Sequence, residues 1–303
     1  MTATSVIMSA LTLAATSGDL PVNGGVRLPE SLVGNPLVEE WDTPYQTPPF
    51  SEIELAHYEP AFDYAIAVNR AEVEAIINNP KAPTFENTIV AMTESGELLG
   101  RVAGLFFVLN NCSTSDEMQQ IAMNITPKLT ELENDISLNP ELFARVKAVY
   151  DQRKKLKLDE QDMQLLEDTY KGFARSGALL EGRDKELYRE YSSELSQLTL
   201  KFGQNAQAAT NAFSYNITDP AKVEELPAFV KEGLAAEAEA RGEKGWTVTL
   251  HAPSYSPFMT YSTQRDIKEA LYRAYNTRGL GGEFDNREVI RRIAELRLKI
   301  ANL

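Results

Sequence analysis

The sequence predicts a mainly α-helical protein: a bundle-like lobe of several helices with at most one short strand pair near residues 246–250. Most segments repeat apolar residues at steps of three and four, which places those residues on one face of an α-helix. Only residues 246–250 alternate apolar and polar side chains with a period of two, the pattern of a strand with one apolar face. Apolar residues make up 43% of the 303 residues, a globular share that supplies a sizeable core.

Charge and cysteine content exclude several classes of protein. The net charge is −14, so the chain lacks the basic surface that binds nucleic acid, and an acidic surface also disfavours anionic lipid. The single cysteine, Cys112, excludes an intramolecular disulfide. Because Cys112 ends an apolar helical run, we expect it to be a small buried residue.

Residues 1–34 are interpreted as a possible signal-like leader followed by a linker. The apolar run 6–15 has the length of a signal-peptide core and is too short for stable membrane insertion, yet no Lys or Arg precedes it. The protein is expected to be periplasmic or exported if residues 1–17 are a signal peptide, and cytoplasmic otherwise. Residues 19–34 are rich in Gly and Pro, which is typical of a linker. The helical region is therefore expected over residues 35–303.

Residues 35–50 are punctuated by proline and predict an extended strap without a helix. Pro60 suits the first turn of the helix that follows. Further helices are predicted after Thr84, from the capping pair Thr114 and Glu117, from Asn139 with Pro140, and from Asp159.

The second half of the chain predicts a long helix over residues 184–213, a shorter helix after Pro227, and then the strand at 246–250. Pro253 and Pro257 predict an irregular loop after the strand. Ser262 or Thr263 caps the next predicted helix, which ends near Asn276. The last predicted helix starts at Asp285 and continues to the end of the sequence at Leu303, so we expect the chain to be cut there.

Three stretches resemble one family. The strand and the residues after it carry Gly245-Trp246, Thr249-Leu250, Ala252-Pro253-Ser254-Tyr255, Pro257-Phe258-Met259 and the run from Leu271 to Arg278. The long helix carries Leu195, Leu198, Phe202 and Asn205 at matching spacing. These residues resemble the thimet oligopeptidase and peptidyl-dipeptidase family of zinc metallopeptidases. Residues 35–62 resemble the start of its bacterial peptidyl-dipeptidase branch.

The resemblance implies a two-lobed helical zinc peptidase whose deep cleft admits short, unstructured peptides. It also implies that this chain is the N-terminal region, forming one wall of the cleft. The implied activity is removal of C-terminal dipeptides or cleavage within oligopeptides, and the sequence does not separate the two. The family's His-Glu-x-x-His motif, which binds zinc and activates water, is absent from this chain. Zinc is therefore expected in the intact enzyme and not on this chain, and we assign no catalytic residue or metal ligand.

Four residues are candidates for lining the substrate cleft: His251, Tyr255, Tyr261 and Tyr275. Packing within the core is the alternative for the tyrosines, and a structural or surface role is the alternative for His251. A non-catalytic helical module that binds peptides or a partner is the alternative function. If catalytic residues lie elsewhere, the strand and the last helix are both expected to expose apolar side chains.

Overall fold

The computed structural model describes residues 22–303 and divides the chain into two compact units, residues 1–185 and 186–303. The apolar run at 6–15 and the leader prediction lie outside the described residues. Each unit has its own cluster of buried apolar side chains. No helix in the described part of the chain is long and apolar enough to cross a membrane.

The described part of the first unit begins with a small β-hairpin. The hairpin lies within residues 19–34, the segment whose Gly and Pro content predicts a linker. Strands β1 (Val22–Asn23) and β2 (Val26–Arg27) pair antiparallel. The two residues between them, Gly24 and Gly25, have φ angles of 52° and 83°, which glycine adopts without a steric penalty. Leu28 and Leu32 follow and are buried, so this segment packs onto the unit.

The strap at residues 35–50 has no α-helix, but it is not extended throughout as predicted, because Pro44–Gln46 form a short 3-10 helix. The first part of the strap is held down by buried residues. Leu37 and Val38 are buried. The Asn35 side-chain amide donates to the carbonyl of His57 at 3.0 Å, and the Trp41 indole N–H donates to the carbonyl of Pro36 at 2.7 Å. The strap therefore binds to the start of the first helix through polar as well as apolar contacts.

The helices of the first unit are α1 (Tyr58–Ile77), α2 (Ala91–Glu94), α3 (Glu97–Cys112), α4 (Asp116–Ser137), α5 (Pro140–Asp151) and α6 (Glu160–Arg175). Asn139 and Asp159 cap α5 and α6 as predicted, each accepting hydrogen bonds from backbone N–H groups in the first turn. The cap predicted at Thr114 is wrong by one residue, because the Ser115 hydroxyl accepts from the N–H of Met118.

The core of the first unit is rich in aromatic rings. Phe106 of α3 contacts Tyr58 and Phe62 of α1 edge-to-face, with ring centroids 5.0 and 5.6 Å apart. The prediction that Cys112 is buried is wrong. Cys112 is the last residue of α3, where the helix ends and leaves the thiol exposed.

The second unit contains α7 (Gly182–Asn211) from residue 186 onward, β3 (Ser214–Ile217), α8 (Ala228–Ala240), β4 (Trp246–Thr249), α9 (Ala252–Tyr261), α10 (Arg265–Asn276) and α11 (Arg287–Ala301). β3 and β4 pair antiparallel, with Ser214 opposite Thr249 and Ile217 opposite Trp246. This pair and the helices confirm the predicted mainly α fold and the strand near 246–250. The β1–β2 hairpin is a second strand pair that the sequence patterns did not predict.

The predicted loop after β4 is wrong, because residues 252–261 form α9. Pro253 is in the first turn, where its missing N–H has no intrahelical partner to lose. Pro257 lies only one turn further on, so it removes a single hydrogen bond. The Ser254 hydroxyl accepts from the backbone N–H of Thr249 at 3.0 Å and ties the helix to the strand. Tertiary contacts therefore outweigh the local effect of two prolines.

The expectation of two exposed apolar faces holds for the last helix and is wrong for the strand. β4 is covered by α8 and α9, and Val248 is fully buried. On α11, Ile290 is 45% exposed and Leu298 is 64% exposed. Leu280, in the turn before α11, is also exposed. α11 and the turn before it therefore present uncovered aliphatic side chains.

Candidate functional site

The junction between β4 and α9 presents His251, the first of the predicted cleft residues. His251 is the residue before α9 and has extended backbone angles. Its carbonyl accepts from the N–H groups of Ser254 and Tyr255 at 2.9 and 2.8 Å, which fixes the backbone of the first turn. The imidazole itself is exposed. A neutral imidazole both donates and accepts a hydrogen bond, so His251 offers a free polar contact at the surface.

The groove beside His251 lies between α8 and α9 and has a volume of about 310 Å³. We call it the α8–α9 groove. One side is formed by α8 and the other by the end of β4 and the start of α9; the lining residues are Phe229, Val230, Gly233, Leu234, Glu237, Thr249, His251, Pro253 and Ser254. An apolar floor with a few polar groups at the edge is typical of a site for small molecules or short peptide segments.

Two exposed aromatic rings stand near this groove. Phe229 is 60% exposed and Tyr261 is 48% exposed, and the rings meet edge-to-face with centroids 6.0 Å apart. The sequence analysis missed Phe229. A signal for it was present, because Val230, Leu234 and Ala238 make the buried stripe of α8 and Phe229 falls off that stripe. Exposed aromatic pairs on helices supply apolar contact area at a low entropic cost.

Tyr255 and Tyr275 are both partly buried and lie together in a stack with an arginine. Their rings are 4.3 Å apart with an interplanar angle of 18°, and the Arg278 guanidinium carbon lies 3.8 Å from the Tyr275 ring centroid. Arg278 also donates to the carbonyl of Tyr275 and to the Thr210 hydroxyl. Burial raises the pKa of the Tyr255 hydroxyl, and Tyr275 and Tyr272 add to that effect. This stack braces α9 against α10.

A carboxylate that the sequence analysis missed, Glu225, fixes the far end of α9. It accepts from the N–H of Thr263 at 2.6 Å, from the Ser262 hydroxyl at 3.3 Å and from the Thr263 hydroxyl. The Thr263 hydroxyl is the main cause of a lowered pKa for the Glu225 carboxyl. Tyr261 directly precedes these residues, so Glu225 holds the backbone that carries the Tyr261 ring.

The four predicted cleft residues therefore fall into two sets. His251 lines the α8–α9 groove, and Tyr261 contacts its aromatic edge at Phe229. Tyr255 and Tyr275 form the packed stack and do not line the groove. A role in substrate binding stays a prediction for all four.

Known proteins similar to this chain are peptidases. The dipeptidyl carboxypeptidases of Escherichia coli (strain K12) and Salmonella typhimurium are each 36% identical, over 274 and 268 residues. These matches cover 89% and 87% of this chain and 40% and 39% of the two relatives. Oligopeptidase A of Salmonella typhimurium is 30% identical over 274 residues, 89% of this chain and 40% of that protein.

The predicted resemblance to the thimet oligopeptidase and peptidyl-dipeptidase family is confirmed. The chain spans about two fifths of the length of the curated relatives that it matches. No family model matches the chain. The match to these peptidases extends over nearly nine tenths of this chain, so it includes most of both units.

The donor groups of the described residues do not fit the zinc ion that the sequence resemblance implies. They contain no group of three or more His, Cys, Asp or Glu side chains that could hold a metal ion. The two histidines belong to different units, and the Nδ1 atom of His57 accepts a hydrogen bond from the N–H of Glu54 at 3.0 Å. No step of metal-assisted hydrolysis is therefore assigned to residues of this chain.

Proposed function

We propose that this chain is the N-terminal region of a zinc-dependent peptidase that hydrolyses short, unstructured peptides. The observation that carries the proposal is the match to dipeptidyl carboxypeptidases and oligopeptidase A over nearly nine tenths of the chain. Their names support two activities, release of dipeptides from the C-terminus and cleavage within oligopeptides. In this proposal the zinc ion and its ligands lie outside this chain, and its own residues bind and orient the peptide.

The α8–α9 groove is the substrate-contacting surface in this proposal. Phe229 and Tyr261 present apolar ring area, and His251 presents an imidazole that donates to or accepts from a peptide group. The Glu225 contacts and the Tyr255–Tyr275 stack keep α9 rigid behind these rings. Rigid presentation lowers the entropy that is lost when a flexible peptide binds.

The apolar surface on and beside α11 supports the view that further polypeptide packs on the second unit. Ile290 and Leu298 are on the helix, and Leu280 is in the turn before it. Fully burying an exposed aliphatic side chain is favourable by roughly 1.5–3 kcal/mol, and these three side chains are about half exposed, so a partner that covers them would gain about half of that for each. If the catalytic residues lie in that further polypeptide, this would account both for the exposed surface and for the match to only about two fifths of the relatives' length.

The first test uses the purified 303-residue chain. Zinc content is measured by elemental analysis, and turnover is measured with an internally quenched short peptide and with a dipeptidyl reporter. We expect no stoichiometric zinc and no turnover, because the His-Glu-x-x-His motif is absent. Tight zinc binding or unaided hydrolysis would contradict the proposal.

The second test measures kinetics of the protein translated from the complete reading frame. Replacing Phe229 with Ala is expected to raise KM by about tenfold, the loss typical of a central aromatic contact. Val108→Ala is the matched control, since Val108 is 60% exposed on α3 and lines no part of the groove. Equal KM values for the two variants would remove the groove from the proposed substrate path.

The alternative is a helical module that binds peptides without cutting them. The exposed aromatic edge of the groove favours it, because that edge is complete within this chain. The alternative predicts saturable peptide binding by the 303-residue chain and a reading frame without His-Glu-x-x-His. The peptidase proposal predicts that motif in the same frame.

A further inference from the structure

A separate cavity lies wholly within the first unit, between α3, α4 and α6. Its volume is about 440 Å³, within the range of sites for small molecules. The wall is mainly apolar and includes Leu99 of α3, Leu129, Leu132 and Ile136 of α4, and Phe173 of α6. The cavity opens to solvent, since Glu133 and Gly172 on its lining are exposed, so a ligand can enter it without unfolding of the unit.

One buried polar side chain faces this cavity. Asn69 of α1 lines the cavity and is only 6% exposed, yet its side-chain amide has no hydrogen-bond partner among the described residues. The nearest neighbour that constrains it is Gly96, where an added Cβ would lie 2.9 Å from the Asn69 amide nitrogen. The Asn69 amide atoms are not among the side-chain atoms that are cut off from solvent, so they can exchange water for a ligand amide that enters the cavity.

The chemistry of Asn69 specifies the polar part of the ligand. Its side chain has one carbonyl acceptor and one NH₂ donor, which match the N–H and C=O of another amide. Thr169 also lines the cavity, but its hydroxyl already donates to the carbonyl of Leu165 at 2.7 Å. Glu133 is an exposed carboxylate on the lining, and it disfavours an anionic ligand.

We propose that this cavity is a binding site for a small, neutral, apolar amide, with the hydrocarbon part against the leucines and the amide group on Asn69. The class includes amides of aryl-substituted short-chain acids and blocked apolar amino acids. The site is independent of the α8–α9 groove, since each is built entirely from residues of one unit. It does not depend on peptidase activity.

The test titrates 4-phenylbutyramide into the full 303-residue chain by isothermal calorimetry, with saturation-transfer NMR to show which ligand protons are bound. 4-Phenylbutyrate, which has the same hydrocarbon part and a negative charge, is the ligand control. We expect saturable binding of the amide and at least about tenfold weaker binding of the carboxylate. No binding of the amide up to its solubility, or equal binding of the two compounds, would overturn the proposal.

Two matched glycine variants test whether the ligand binds in this cavity. Gly172 lines the cavity on α6, and an added Cβ there meets no atom within 4 Å, so the larger side chain of Gly172→Leu is expected to occupy space at the cavity. Gly203 on α7 has the same open surroundings and does not line the cavity. Gly172→Leu is expected to weaken binding by about tenfold or more, and Gly203→Leu to leave it unchanged. Equal affinities for the two variants would overturn the assignment to this cavity.

Asn69→Leu tests the polar contact. It is expected to abolish the preference for the amide over its purely hydrocarbon analogue, phenylpentane, while thermal unfolding reports whether the variant stays folded. An unchanged preference in the folded variant would contradict the role of Asn69. The Gly172 and Gly203 pair keeps the site testable if Asn69→Leu does not fold.

Discussion

Asn205 and Asn286 pair their side-chain amides within the second unit. The Asn205 amide nitrogen donates to the Asn286 amide oxygen at 2.9 Å, and the Asn286 amide nitrogen donates to the carbonyl of Phe202 at 3.0 Å. Asn286 is buried, and its backbone N–H donates to the carbonyl of Gly279 at 2.6 Å. These contacts fix the start of α11 on α7, so the helix that exposes Ile290 and Leu298 is itself firmly placed.

Replacing Asn286 with Ala is expected to lower the free energy of unfolding by about 1 kcal/mol, because the partly buried Asn205 amide and the Phe202 carbonyl each lose a hydrogen-bond partner. Urea denaturation followed by circular dichroism measures this change in the free energy of unfolding. Asn302→Ala is the control, since Asn302 is exposed at the end of α11. A change no larger than that of the control would show that the pair has no structural role.

Gly245 directly precedes β4, and its backbone conformation allows β4 to pair with β3. Its φ is 90°, and an added Cβ would lie 2.2 Å from the carbonyl oxygen of Ile217. Gly245→Ala is therefore expected to destabilise the unit by about 1–3 kcal/mol or more. Gly203→Ala, in the middle of α7 with open space around it, is expected to stabilise by about 0.5–1 kcal/mol. Thermal unfolding tests both variants, with a lower midpoint temperature expected for Gly245→Ala and a higher one for Gly203→Ala.

We predict that protonation of the Asp285 carboxylate lowers the stability of the protein in acid. The side chain and the backbone N–H of Arg287 lower the pKa of the Asp285 carboxyl from 3.8 to about 2. Since the pKa is lower in the folded state, the carboxylate stabilises the fold above its unfolded pKa near 3.8, and this contribution is lost as the pH falls towards about 2. The free energy of unfolding of Asp285→Asn should therefore fall less between pH 4 and pH 2 than that of the wild type. Parallel curves for the two proteins would contradict the linkage.

The thiol of Cys112 should react without unfolding of the protein. It is exposed at the end of α3, and it is the single cysteine of the sequence. Titration with a chromogenic disulfide reagent in native buffer is expected to modify one thiol per chain at the rate of an exposed cysteine. Reaction only after denaturant is added would mean that the thiol is covered.

Local sequence patterns predicted most helices and the strand. Apolar stripes, helix caps and the alternation of a strand all depend on residues that are close together in the sequence. Asn139, Asp159 and Trp246 are examples. The patterns failed at Pro257, where contacts of α9 with β4 and α8 outweigh the missing hydrogen bond of one proline. They also failed at Cys112, since a position in the last turn of a helix does not reveal what covers it.

The candidate site was predicted only in part, because its geometry depends on residues far apart in the sequence. Glu225 holds Thr263 across 38 positions, and Phe229 meets Tyr261 across a similar span. No local pattern connects these pairs. His251 is a predicted cleft residue, with a structural or surface role as the alternative, and it lies exposed beside the groove, whereas Tyr255 and Tyr275 are packed on each other.

The most direct test of the peptidase proposal is hydrolysis by the protein translated from the whole reading frame that contains this chain. The measurement is release of dipeptides or internal fragments from a quenched short peptide, with and without a zinc chelator. The proposal predicts hydrolysis that the chelator abolishes and that the 303-residue chain alone does not show. A reading frame without His-Glu-x-x-His, or a complete protein that binds such peptides and leaves them intact, would contradict it.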